Sequence, residues 1–234
     1  MYRSITSQWV LLFVLTATTY TIKSVTFLHS SARDGHTHTV KLNLELGDNV
    51  NARDNEHNTP LHLAVQNGHT KTAHILIQNG ANVNLQDKNR LTPLHLAAHN
   101  GSTRIIHFII QNGAHVNLLN ATGNTSLHLA AQNGHIEAAR ILVKNSADIH
   151  KQDLLGFRPL HLASVNGHLE TTKFLIQHGV DINIKNRQGT TPLYMAIKNG
   201  HAETARLLIK NGANIELATH NKTADDITSY QEIT

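Results

Sequence analysis

Apolar positions along this chain fall into two short blocks that return every 33 residues. The first block reads Leu-x-Leu-Ala: Leu61, Leu63 and Ala64, then Leu94, Leu96 and Ala97, and again from Leu127 and Leu160. The second is an aliphatic pair: Leu76-Ile77, Ile109-Ile110, Leu142-Val143, Leu175-Ile176 and Leu208-Ile209. Apolar groups on one stripe of a short segment, with polar residues between, suit an amphipathic helix that buries one face. An Asn-Gly pair separates the blocks, as at Asn67-Gly68, and marks the turn between two antiparallel helices.

The punctuation follows the same period. All four prolines, Pro60, Pro93, Pro159 and Pro192, share one slot, and Ser126 fills the place that proline skips. One series of glycines runs unbroken from Gly35 through Gly68, Gly101, Gly134 and Gly167 to Gly200. A second series, Gly47, Gly80, Gly113, Gly179 and Gly212, is interrupted by Ser146. A fixed period between about 20 and 50 residues is the signature of a stacked-repeat fold. Thr59-Pro60-Leu61-His62 recurs as Thr92-Pro93-Leu94-His95, Thr125-Ser126-Leu127-His128, Arg158-Pro159-Leu160-His161 and Thr191-Pro192-Leu193-Tyr194. A threonine before proline places an N-cap acceptor and an N1 residue at a helix start.

These motifs resemble the ankyrin repeat family, and the resemblance covers about residues 26–228. It implies an all-α repeat solenoid of helix–turn–helix units with β-hairpin fingers. The expected boundaries are 26–58, 59–91, 92–124, 125–157, 158–190 and 191–222, with a truncated capping repeat at 223–234. Three glycines, Gly123, Gly156 and Gly189, are expected to turn the fingers. Departures mark weak points. Arg158 replaces an N-cap threonine, Ser146 replaces a left-handed glycine, and Asn43 stands where other repeats carry Leu or Ile.

Residues 1–25 precede the clear repeats. Arg3 is followed by the apolar run Trp9-Val10-Leu11-Leu12-Phe13-Val14-Leu15. The run is far short of the roughly 20 residues a spanning helix needs. It predicts a secretory signal peptide and a secreted protein. The competing reading is a second helix of a decayed repeat in a cytoplasmic protein, because Val10-Leu11 stands one period before Asn43-Leu44. Against that reading, the run has no polar outer face.

Composition narrows the chemistry. The chain of 234 residues has no cysteine, which excludes disulfides, thiolate metal sites and a cysteine nucleophile. A formal net charge of +4 is too small and scattered for a nucleic-acid interface. Nineteen histidines invite a metal or acid–base role. Five of them, His29, His62, His95, His128 and His161, hold the slot after Thr-Pro-Leu, and five more follow the turn glycine. By resemblance the first group braces adjoining turns. Only His36 and His38 remain as a local pair. No P-loop, G-x-S-x-G or H-E-x-x-H motif is present. The expectation is a monomeric, non-catalytic protein with no metal, cofactor, nucleic acid or small-molecule substrate.

Solenoids bind partners over extended surfaces. By resemblance, finger tips and the inner face of the first helix make most contacts. Those slots are polar in most repeats, as in Asn55, Glu56, Asn58, Gln66 and Asn67. In the fifth repeat they hold Leu154, Leu155, Phe157, Val165 and Asn166. Leu91 and Leu119 extend the apolar set, and Arg90 and Arg187 flank it. The predicted site is an apolar anchor with a basic rim, suited to a protein partner carrying acidic residues. The alternative folds Leu155 and Phe157 back onto their own finger. A second functional class is the ankyrin portion, or a short relative, of a larger secreted toxin, effector or channel.

Overall fold

A computed structural model describes residues 27–219. The apolar leader 1–25 and the capping segment 223–234 lie outside the described residues. The chain divides into two compact units, Met1–Lys88 and Asn89–Thr234. All regular structure among the described residues is helical.

The first unit holds α1 (27–33), α2 (Thr37–Glu45), α3 (Pro60–Gln66) and α4 (Thr70–Gln78). The second holds α5 (Pro93–His99), α6 (Thr103–Gln111), α7 (Ser126–Gln132), α8 (Ile136–Lys144), α9 (Pro159–Val165), α10 (Leu169–Gln177), α11 (Pro192–Lys198), α12 (Ala202–Lys210) and α13 (Ile215–Thr219). From α3 to α12 a seven-residue inner helix alternates with a nine-residue outer helix. In the second unit, inner helices α5, α7, α9 and α11 pack in succession, and so do outer helices α6, α8, α10 and α12.

The inner helices start as the sequence dictates. Thr92 Oγ1 accepts from the His95 backbone N–H, and the Thr92 N–H donates to His95 Nδ1 at 3.2 Å. Thr59 with His62 and Thr125 with His128 repeat this reciprocal cap. Each such cap is worth about 1 kcal/mol. At Arg158 the side-chain acceptor of the cap is lost; the Arg158 N–H still donates to His161 Nδ1 at 3.1 Å, and the His161 N–H donates to Arg158 O at 2.9 Å.

The core is the pair of apolar blocks. Leu61 and Leu76 are fully buried in the first unit; Leu94, Ile109, Leu127, Leu142, Leu160, Leu175 and Leu193 are buried in the second. Burying one such side chain stabilises by about 1.5–3 kcal/mol. Asn43 holds a core slot in α2, is buried, and its Nδ2 finds no partner. Ser146 keeps the left-handed conformation of the glycines it replaces, with φ 65°.

The expected β-hairpins are absent: no strand forms among the described residues. The reason lies in one side chain per turn. Asp54 Oδ1 accepts from the Glu56 and Asn58 N–H groups at 2.9 and 2.8 Å. Asn120, Asp153 and Asn186 do the same for the N–H groups two and four residues on. Donors that a hairpin ladder needs are thus taken by an Asx turn. Two backbone bonds close each loop, such as Asp153 N to Phe157 O at 2.9 Å and Gly156 N to Asp153 O at 3.1 Å.

Candidate functional site

The turns present a row of tips. In the second unit Ala121 N donates to Asn89 O at 2.8 Å, Leu154 N to Thr122 O at 3.1 Å, and Arg187 N to Leu155 O at 3.1 Å. Each tip is therefore hydrogen-bonded to the next, which fixes their spacing. The tip conformation needs a positive φ, supplied by Gly123, Gly156 and Gly189 at 83°, 80° and 75°. Arg90 adopts it at 58° and, in the first unit, His57 at 60°, both without glycine. A left-handed non-glycine residue costs about 1–2 kcal/mol.

Leu154 and Leu155 stand on this row, 56% and 58% exposed. Leu154 also leans over Gly123, and a methyl group added there would lie 3.1 Å from Leu154 Cγ. Arg187 is exposed on the next tip, and its Cγ covers Gly156 in the same way at 2.9 Å. Leu154, Leu155 and Arg187 thus stand on adjacent tips, joined through the Arg187 N–H and Leu155 O. Phe157 behaves differently. It is half-buried and meets the His161 ring edge-on, with centroids 5.8 Å apart at 83°. Phe157 thus packs toward α9, while Leu155 stays exposed at the tip.

The remaining predicted residues are dispersed. Arg90 is exposed on the tip before Ala121, and Leu91 is half-buried beside it. Leu119 is half-buried where the 120–124 turn begins. Val165 ends α9 half-buried, and its carbonyl accepts from His201 Nε2 at 3.0 Å. Two cation–ring contacts went unforeseen: Lys198 Nζ sits 5.6 Å from the Tyr194 ring centre, and the Arg140 guanidinium 5.0 Å from that of the buried Phe174. The i,i+4 spacing of Tyr194 and Lys198 carried the first signal; the second spans two helices and has no local one.

The histidines resolve into two locks. His95 Nε2 reaches Asn124 O at 3.1 Å, His128 Nε2 reaches Phe157 O at 3.2 Å, and in the first unit His29 Nε2 reaches Asn58 O at 3.0 Å. Because the carbonyl accepts, Nε2 carries the proton and Nδ1 is left bare to accept from the cap. Burial accordingly holds His128 below its ordinary pKa and pulls His161 from 6.5 to about 4. The second lock joins turns. His135, His168 and His201 send Nε2 back to His99 O, Gln132 O and Val165 O at 2.9–3.0 Å. Their rings lie flat against Gly101, Gly134 and Gly167, where a Cβ would come within 2.4–2.6 Å of Nδ1. His69 does the same to Gly35 in the first unit. All these rings are committed to structure.

Among the described residues no helix is long and apolar enough to cross a membrane. Three segments of the chain, 10–87, 76–153 and 146–219, match the family model described as ankyrin repeats (3 copies). No curated protein matches the chain.

Proposed function

This chain belongs to the ankyrin repeat family, an all-helical repeat solenoid, and we propose that it is a protein-binding module whose contact surface centres on Leu154 and Leu155. Ankyrin repeats are generally protein–protein interaction modules and typically non-catalytic. The observation that carries the placement is the adjacent pair of exposed leucines at one tip, where an apolar patch rimmed by polar groups favours a partner. Arg187 on the adjacent tip, and the exposed Lys185 and Lys198, suit a partner with an apolar side chain flanked by carboxylates. Arg90, Leu91, Leu119 and Val165 belong to the outer reach of this surface, and Phe157 supports it from beneath.

The test is affinity capture on the full-length protein, with Leu154→Ser/Leu155→Ser as the matched control. Bound proteins that disappear with the double variant, at unchanged melting temperature, support the site. An identical bound set for both forms would falsify the placement.

A further inference from the structure

An asparagine clamp joins the loop after one outer helix to the loop after the next. In the second unit Asn117 Nδ2 donates to Ser146 O at 3.0 Å, while its Oδ1 accepts from the Asp148 N–H at 2.8 Å. Asn183 makes the same pair with Gly212 O and the Asn214 N–H, at 3.3 and 2.7 Å. In the first unit Asn51 holds Gly80 O and the Asn82 N–H in this way. The slot midway between Asn117 and Asn183 holds His150 instead. An imidazole carries its donor and its acceptor on nitrogens that point apart, whereas an amide presents both from one carbon. His150 is exposed, and its side chain bonds neither Gly179 O nor the Asp181 N–H. The clamp is therefore missing between the repeat of α7 and α8 and the repeat of α9 and α10.

The repeat beyond that joint carries defects of its own. Arg158 opens α9 without a threonine acceptor. Ser164 and Thr172 are fully buried, and neither hydroxyl has a partner. Other repeats fill the slot of Ser164 with Val65, Ala98, Ala131 and Ile197, and that of Thr172 with Ala73, Ile106, Ala139 and Ala205. A buried hydroxyl left unbonded is destabilising in a way those apolar residues are not. We propose that the second unit opens at this joint, α9–α12 unfolding as one block while α5–α8 stay folded. In an array held by nearest-neighbour contacts, a weak repeat behind a weak joint releases everything beyond it together. Each opening breaks the Arg187 N–H to Leu155 O bond that crosses the joint, and so separates Arg187 from the leucine tip. A partner that contacts both tips closes the joint; the opening itself does not rest on the binding reading.

Native-state hydrogen exchange on the full-length protein tests this. The slowest amides of α9–α12 are expected to share one rate, at least about tenfold faster than those of α5–α8. His150→Asn/Arg158→Thr restores the clamp and the cap, and is expected to narrow that gap. Ser164→Ala, which touches neither loop, is expected to narrow it too. Ser126→Pro stabilises α7 on the near side of the joint; it is expected to slow α5–α8 and leave the α9–α12 rate unchanged. One common rate from α5 to α12, slowed throughout by Ser126→Pro, overturns the proposal in favour of a unit that opens all at once. Rates that climb helix by helix toward α12 overturn it in favour of fraying from the end. A step between α8 and α9 that both restoring variants leave unchanged overturns the assignment of the joint to these residues.

Discussion

Replacing Gly134 by alanine isolates the lock between successive turns. Two costs follow from the geometry. Gly134 has φ 70°, so any side chain there meets the left-handed penalty of about 1 kcal/mol. The new methyl would also lie 2.5 Å from His168 Nδ1, far inside contact distance. The ring cannot yield freely, because its Nε2 is held by Gln132 O at 2.9 Å. Moving it sacrifices that bond, worth about another 1 kcal/mol, and strains the turn. Gly134→Ala is therefore expected to destabilise by about 2–3 kcal/mol. Gly179→Ala serves as the reference. Its φ is 77°, but nothing lies within 4 Å of the position, and Ser146 occupies the same slot in α8's turn. It is expected to cost about 1 kcal/mol. Urea unfolding of both variants, and of Gly134→Ala in a His168→Ala background, completes a double-mutant cycle. The clash predicts that Gly134→Ala costs about 1 kcal/mol once the ring is gone. An equal cost with and without His168 would refute the lock.

Asn43→Leu removes a buried amide whose Nδ2 has no partner and restores the residue type of Leu76; urea unfolding should show a gain of about 1–3 kcal/mol. Ser126→Pro restores the proline slot where Ser126 Oγ is buried and unpartnered, and should raise the melting temperature through a gain of about 0.5–1 kcal/mol. Acid should weaken the fold between pH 6.5 and about 4. His161 stays neutral in the folded chain down to about pH 4, whereas the unfolded chain takes up a proton below its ordinary value of 6.5, so stability present above 6.5 falls as pH drops. His161 accounts for about 3 kcal/mol of that loss, and unfolding of His161→Gln across the same range should show a shallower slope.

The repeat was open to reading because its residues are physically constrained. A proline needs N1, a threonine needs the N-cap, and a turn glycine under a histidine ring admits no methyl group; these requirements recur every 33 residues and locate every inner helix. The histidine roles followed from the same slots. The turns were harder. Their acidic or amide residue at Asp54, Asn120, Asp153 and Asn186 was visible, yet whether it replaces a hairpin ladder depends on where Oδ1 points. The left-handed tips at His57 and Arg90 carried no glycine to announce them. At the candidate site, spacing identified Leu154 and Leu155 as tip residues but gave Phe157 the same status. Its edge contact with His161 depends on how the chain turns into α9, which spacing does not reveal.

The central claim is that the exposed leucine pair is the anchor for a protein partner. The direct measurement is the dissociation constant of a captured partner for the wild-type protein and for Leu154→Ser/Leu155→Ser, with thermal unfolding of both. The account predicts an affinity loss of at least about tenfold with the melting temperature unchanged, because neither leucine is in the core. Unchanged affinity with a lowered melting temperature would contradict it and assign both leucines to the scaffold.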